Sequence, residues 1–335
     1  MPVTESRLRD ALSTEQTLDV LPSDFDSLGV RYSGKVRENF SDGDRRTIIV
    51  SDRISAFDVV LGTIPFKGQI LNSLARYWFE ATQDVAKNHM VEVPDPQAMR
   101  VHECTPVPVE FVVRAYLTGV SSTSIWRAYE RGERVFCGHQ LADGMVKHQR
   151  LSTPLVTPST KAPKGEHDLS VSRSWLIDRG HIDAERFDSL ATLALALFAR
   201  GQALAAERGL LLVDTKYEFG VDRDGELRLI DEIHTPDSSR YWYADTYQAS
   251  MERGEDPRSL DKEFVRRWLV AEGFSGDGAP PVLPDSLRIE AARRYIETYE
   301  RLTGASFEPS SEPPLPRLRA NLGVRPAGDE RGQGG

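Results

Sequence analysis

Apolar and polar residues alternate in short runs after a polar opening stretch punctuated by Pro22 and Gly29. Residues 31–40, 46–50 and 57–61 are β-branched or aromatic segments divided by Gly, Asp and Ser, which predicts antiparallel strands joined by tight turns. From residue 69 to 86 the period changes. Ile70, Leu71, Leu74, Tyr77, Trp78 and Val85 recur at helical spacing and form an apolar stripe. Residues 90–93 and 107–117 predict strands again, the second nearly continuous in apolar residues, as a strand covered on both faces is. Strands crossed by one helix predict an α+β arrangement and not a regular α/β alternation.

The second half reads differently. Ile125, Trp126 and Tyr129 follow a Ser/Thr cluster that starts at Ser121, which predicts a capped helix ending near Gly132. Residues 135–174 carry Pro154, Pro158, Pro163 and Gly165 and read as a long irregular, functional loop. Residues 184–208 form an amphipathic helix that stops at Gly209. Strands are expected at 210–214, 217–221 and 226–233, with Asp224-Gly225 as a hairpin turn, and helices at 261–272 and 284–303. Beyond Ser306 the Pro/Gly/Glu/Arg-rich tail shows no apolar period, and disorder is expected there. No internal repeat is present. The organisation expected is an N-terminal extension (1–28), a β-rich lobe (29–113), a larger mixed lobe (114–305) and a tail (306–335).

Charge narrows the classes of ligand. Lys plus Arg number 42 against 51 Asp plus Glu, a formal net charge of −9 over 335 residues. A chain this acidic does not coat a phosphate polymer, so nucleic acid is not an expected partner. Small anionic ligands remain open to it, provided a local basic cluster meets them. Only Cys104 and Cys137 occur, which excludes a disulfide scaffold and a Cys-rich metal site and fits a reducing cytoplasm. The N-terminus has no signal-peptide core, and the most apolar stretch, 193–199, is far shorter than the ~20 residues of a membrane span.

Three constellations carry candidate chemistry. Gly29-Val-Arg-Tyr-Ser-Gly34-Lys35-Val36 approaches a P-loop pattern, but Val36 stands where a metal-binding hydroxyl is required and the residues after it alternate like a strand. It reads instead as a Gly-Lys turn that brings Lys35 and Arg37 to a phosphate, or as an ordinary basic hairpin. Asp214, Lys216 and Glu218 alternate and therefore share one strand face, and the hairpin at Asp224-Gly225 folds Asp231 and Glu232 back toward them. A lysine among carboxylates at strand ends suits a magnesium nucleotide, although a salt-bridged hairpin has the same letters. Thr235-Pro-Asp237-Ser-Ser-Arg240 follows the strand directly and reads as a binding loop on a rigid scaffold, with Arg240 able to fork onto a carboxylate or phosphate.

Taken together these segments resemble the SAICAR synthetases, the phosphoribosylaminoimidazole-succinocarboxamide synthases of purine biosynthesis. The resemblance rests on Ser33-Gly-Lys-Val-Arg-Glu38, Ser51-Asp-Arg-Ile-Ser-Ala-Phe-Asp58, Val107-Pro-Val-Glu-Phe-Val-Val-Arg114, Thr157-Pro-Ser-Thr-Lys-Ala162 with Gly165-Glu-His-Asp168, Asp214-Thr-Lys-Tyr-Glu-Phe-Gly220, and Asp231-Glu with Thr235-Pro-Asp-Ser-Ser-Arg240. These stretches stand in the family's order between about Gly29 and Gly304.

The resemblance implies a two-lobed α+β fold with an ATP cleft between the lobes, and an ATP-dependent ligase. That enzyme joins 5-amino-1-(5-phospho-ribosyl)imidazole-4-carboxylate (CAIR) to L-aspartate through an acyl phosphate. It further implies that Gly34, Lys35, Val36, Arg37 and Lys216 bind ATP, with Lys35, Arg37 and Lys216 on its phosphates, and that the backbone of Pro106–Glu110, Val109 included, reads the adenine. Glu218 and Asp231 would hold Mg²⁺. Arg114 with Ser121 or Ser124 would take the ribose phosphate, while Asp168, Asp237, Ser238 and Arg240 would orient CAIR or aspartate. One departure stands out: Gly119-Val-Ser-Ser-Thr-Ser-Ile-Trp126 is longer than the family's Gly-Ser-x-Trp, which leaves two candidate serines. Two other readings compete: another small-molecule phosphotransferase, which would release ADP without needing aspartate, and a nucleotide sensor, which could dispense with Lys216, Glu218 and Asp231.

Overall fold

The computed structural model describes residues 3–14, 16–121, 123–161, 168–260 and 262–325. The protein divides into two units, one formed by Met1–Tyr77, His89–Glu103 and Asp261–Gly335, the other by Trp78–Asn88 and Cys104–Leu260. Sheets in both are antiparallel and the helices are segregated from them, which is the α+β class expected.

In the first unit a five-stranded sheet runs Val30–Ser33, Arg37–Ser41, Arg45–Val50, Ala98–His102, Met90–Asp95. Beside it stands the hairpin Arg53–Ala56/Val59–Thr63. Phe40 and Ile49 of the sheet are buried in one cluster with Leu18, Leu21 and Phe25 from the N-terminus and Leu318 and Leu322 from the C-terminus. Side chains of that size contribute about 2 kcal/mol each when fully buried, so both chain ends help to hold this sheet.

Two expected boundaries are therefore corrected. Residues 1–28 are not an extension, because Leu18, Leu21 and Phe25 are core residues and Leu18 N–H donates to the buried Asp52 Oδ2 at 2.6 Å. The segment after 306 is not structureless either, since Pro314–Leu322 is a helix. Its prolines hide the helical spacing of Leu315, Leu318 and Leu322, although proline in a first turn favours a helix start. Arg317 anchors the helix from inside, with Nε 2.9 Å from Asp95 Oδ2 and Nη2 2.6 Å from Gln97 Oε1.

The second unit is organised on one long strand, Leu210–Asp222. Ser239–Tyr243 and Leu227–Ile230 pair with its successive halves, as do Val109–Tyr116 and Cys104–Pro106, and Arg150–Thr160 adds to Val109–Tyr116. The two strands expected at 210–214 and 217–221 are thus one. The long loop expected at 135–174 contains an eleven-residue strand, whose pairing is irregular between Arg150 and Leu155 where Pro154 removes a donor. The helix Ala184–Glu207 covers one face of this sheet, its Phe187 ring 5.3 Å from Phe111. At 24 residues it is long and apolar enough to cross a membrane by length and composition, contrary to the sequence estimate. Phe187, Leu190, Ala194, Leu197 and Phe198 are nevertheless buried within the fold, as in a core helix.

Candidate active site

Side chains alternate across a sheet, so burying Phe111, Tyr217 and Phe219 on the helical side turns their neighbours to the other face. That second face is polar on three adjacent strands. Glu110 and Arg114 come from one, Thr157 and Ser159 from the next, and Asp214, Lys216 and Glu218 from the long strand. Hydrogen bonds gather these side chains into two centres.

The first centre is built around Lys216. Its Nζ lies 2.7 Å from Glu110 Oε1 and also pairs with Glu218 Oε1, while Lys161 takes Glu218 Oε2 and Ser159 Oγ donates to Glu110 Oε2 at 3.2 Å. Burial by itself would lower the Lys216 pKa, but Glu218, Glu110 and Asp231 outweigh it and hold the ammonium well above its ordinary value. Burial also works against the Glu218 carboxylate, yet Lys216 and Lys161 keep it ionised well below the usual range. Glu110 goes the other way: burial, with Glu218 and Asp168 adding to it, raises its pKa despite Lys216. Negative charge is thus in excess at this centre.

That excess bears on a metal. Among the described residues no three His, Cys, Asp or Glu side chains converge to hold an ion by themselves. Mg²⁺, however, commonly takes one or two carboxylates and completes its shell with water and substrate phosphate. Glu218 and Asp231 supply hard oxygens of this kind. Asp231 directly follows Ile230, which is paired with Glu218, and its backbone is in the left-handed region at φ 70°. The donor set fits a magnesium nucleotide.

The second centre is a pair of arginines on one carboxylate. Arg114 Nη1 and Arg240 Nη1 lie 3.4 and 2.5 Å from Asp214 Oδ2, and Arg114 Nε donates to Thr157 Oγ1 at 2.9 Å. Two guanidinium groups facing one carboxylate leave a net positive charge, suited to a phosphate or a second carboxylate. Gly119 passes so close that a Cβ there would stand 2.5 Å from Ser124 Cβ and 3.7 Å from Arg240 Nη2. Ser124 is buried and its Oγ accepts Arg127 N–H at 3.4 Å, capping the six-residue helix Ile125–Glu130. Ser121 is exposed. Arg240 lies in the strand Ser239–Tyr243, opposite Asp214, and not in the loop expected from sequence. Lys216 N–H donates to Ser238 O at 3.2 Å, which ties the Asp237-Ser238 turn to the long strand.

Pro106–Glu110, expected to read adenine, has a different character along its length. Val107 N–H is bonded to Phe219 O at 2.8 Å, Val109 is fully buried, and the Glu110 carboxylate belongs to the lysine centre. A cleft of about 550 Å³ opens beside Pro106 and Val107, lined also by Ile182, Arg186 and Val221 on the helical side.

In the first unit Gly34 N–H closes the turn on Arg37 O at 2.8 Å between two strands, as expected of a Gly-Lys turn and unlike a P-loop. Val36 O accepts from Ser51 N–H and Oγ, and Lys35 Nζ lies 2.5 Å from Asp58 Oδ1 with both side chains more than half exposed. Ala162, Gly165, Glu166 and His167 of the quoted motifs fall outside the described residues.

The sequence model of the SAICAR synthetase family matches residues 30–280. The chain belongs to the SAICAR synthetase family. It is 44% identical over 287 residues to a phosphoribosylaminoimidazole-succinocarboxamide synthase of Legionella pneumophila, covering 85% of this chain and 91% of that one. The corresponding synthase of Bacteroides thetaiotaomicron is 45% identical over 291 residues, with 85% and 91% covered. Among solved structures, the SAICAR synthase from Saccharomyces cerevisiae complexed with SAICAR matches with a TM-score of 0.73 and 30% identity, over 87% of this chain and all of that one.

Set beside the sequence expectations for a SAICAR synthetase, the structure adds Lys161, Thr157, Ser159 and the Glu110 carboxylate to the polar face. Their signal was the period-two spacing of Thr157, Ser159 and Lys161, which becomes readable only once that segment is recognised as a strand.

Proposed function

We propose that the protein catalyses the ATP-dependent joining of CAIR to L-aspartate, giving SAICAR, ADP and phosphate. The observation that carries this reading is the shared polar face, on which the Arg114–Asp214–Arg240 centre stands beside the Lys216–Glu110–Glu218 centre. The first has the charge to hold a phosphorylated, carboxylated substrate; the second has the charge pattern to hold a nucleotide.

The chemistry divides between them. A carboxylate oxygen of CAIR attacks the γ-phosphorus and ADP leaves, forming an acyl phosphate. The aspartate amine then attacks the acyl carbon, phosphate leaves, and the nitrogen gives up a proton. Both anions that meet in the first step repel each other, so fixed cations aimed at the developing charge carry much of the acceleration. Lys216 is assigned to the phosphates, which would draw it from Glu110 and Glu218. Glu218 and Asp231 would hold Mg²⁺, which supplies neutralising charge to the phosphates when bound. Arg114 and Arg240 hold the ribose phosphate or carboxylate of CAIR, with Ser121 as the hydroxyl left uncapped by any helix. Asp168, Asp237 and Ser238 orient the imidazole substrate or aspartate, and Gly34, Lys35, Val36 and Arg37 are assigned to ATP by family resemblance, Lys35 and Arg37 to its phosphates. The adenine is assigned to the Pro106–Glu110 backbone. The partners in this reading are small molecules in the cytoplasm.

A coupled assay with ATP and CAIR, run with and without aspartate, tests it. Aspartate-dependent ADP release with formation of the succinocarboxamide is expected. ADP release indifferent to aspartate would instead indicate a phosphotransferase.

A further inference from the structure

Behind the polar face lies a buried pair that the reaction does not touch. Tyr217 sits on the long strand between Lys216 and Glu218 and points to the opposite side, with no exposure to solvent. His234, also fully buried, stands between Asp231 and the Thr235–Arg240 segment. Tyr217 Oη and His234 Nε2 are 2.6 Å apart, and Tyr241 Oη donates to His234 O at 2.7 Å.

The fold gives up stability to keep this imidazole. Among the described residues His234 Nδ1 is buried without a hydrogen-bond partner, a penalty that a leucine would not incur. The His234 backbone is in the left-handed region at φ 52°, as is Asp231 three residues earlier at φ 70°. The covering helix has Gly201 at the point of approach, where a Cβ would come 2.4 Å from His234 Cε1. The Trp78 ring meets the imidazole edge-on, with centroids 4.7 Å apart at 85°. Burial lowers the His234 pKa to about 3, so the ring is neutral at any working pH. Backbone strain and an unsatisfied nitrogen at one residue, fixed from four directions, mark a position held for function.

We propose that Tyr217 and His234 act as a positioning pair, setting Asp231 on one side of His234 and the Asp237–Arg240 segment on the other against Lys216 and Glu218. The geometry supports this directly: the strand that presents Lys216 and Glu218 to the substrates is joined, through the one side chain between them, to the turn that presents Asp231. Neither residue contacts substrate. The inference rests on the SAICAR synthetase reading of the polar face.

The test uses the full chain and reads melting temperature, kcat, and calorimetric affinity for a non-hydrolysable ATP analogue with Mg²⁺. Tyr217→Phe removes only the hydroxyl. It is expected to lower kcat roughly 10-fold or more, since small misplacements of catalytic groups are costly, and to weaken analogue binding, along with the lower melting temperature that leaving His234 Nε2 unpaired brings. His234→Gln, whose amide reaches the Nε2 position, should recover most of the activity that His234→Leu loses. Tyr217→Phe added to His234→Leu should cost nothing further, because the pair acts as a unit. Wild-type kcat and analogue affinity in Tyr217→Phe and His234→Leu, or changes confined to melting temperature, would overturn the proposal. Failure of the wild-type chain to form the succinocarboxamide would count against the functional reading, and analogue affinity would still decide the role of the pair.

Discussion

Arg114 and Arg240 direct their guanidinium groups at the same atom, Asp214 Oδ2, at 3.4 and 2.5 Å. All three side chains are largely buried, so the carboxylate screens two cations from each other. Asp214→Asn leaves that pair facing a neutral amide, at a cost on the order of 3 kcal/mol. An added oxyanion can take over the carboxylate's role. Melting the variant with and without inorganic phosphate should show a larger rise in midpoint than in the wild type; no rise in the variant would mean that the arginines do not form an anion site.

Lys216 stands between two buried carboxylates. Lys216→Ala should reduce aspartate-dependent ADP release by about 10²-fold or more, because a positioned cation is lost from the phosphates. It should also destabilise the fold in a pH-dependent way. Glu110 is already raised by burial and Glu218 is held low by Lys216 and Lys161, so removing the ammonium moves both carboxyls upward. Protonation then relieves the repulsion, so the deficit in melting temperature relative to wild type should be larger at pH 8 than at pH 5. A deficit independent of pH would contradict the charge balance described for this centre.

Much of this centre is legible in the letters alone. Asp214, Lys216 and Glu218 alternate within an apolar segment, and alternation on a strand fixes a common face. Thr157, Ser159 and Lys161 obey the same rule, but Pro154 and Pro158 make their segment look like a loop. Its strand character comes from pairing with Val109–Tyr116, a contact distant in sequence. Arg240 reads as a loop residue for the same reason, since Ser239–Tyr243 is a strand by virtue of its pairing with Leu210–Asp222. The left-handed backbone at Asp231, which decides where that carboxylate points, leaves no mark in composition at all.

Lys35 offers a separation of binding from stability. Its ion pair with Asp58 joins two side chains that are 54% and 57% exposed, and such pairs contribute at most about 1 kcal/mol. Lys35→Ala should therefore melt like the wild type while raising the KM for ATP. A variant with unchanged KM would remove Lys35 from the nucleotide site.

Arg317 is the opposite case. It is 4% exposed and bonded to Asp95, which is 0% exposed by side chain. Arg317→Ala leaves that buried carboxylate without its charge partner, with the Gln97 N–H and Asn321 amide as donors, and a loss of about 3 kcal/mol is expected. Urea unfolding measures it. A loss under about 1 kcal/mol, the scale of a surface pair, would show that the C-terminal helix is held by its leucines alone.

Asp52 sets the pH dependence of the same unit. Burial pushes its carboxyl up from 3.8 to about 6, against the lowering effect of amide donors from Leu18 and Gly68 at 2.6 and 2.7 Å. The folded chain thus keeps a proton that the unfolded chain releases near its ordinary pKa. Stability from that proton is complete below about pH 4 and is lost as pH rises through about 6. At about 1.36 kcal/mol per pH unit, the interval is on the order of 3 kcal/mol. Other groups titrate in the same range, so the measurement is a difference. Unfolding free energies of the wild type and Asp52→Asn, which cannot titrate, should be compared at pH 4.5 and pH 7. The wild type should lose ground to the variant as pH rises. A gap that stays constant would mean that Asp52 is ionised throughout, with its amide donors offsetting the whole penalty of burial.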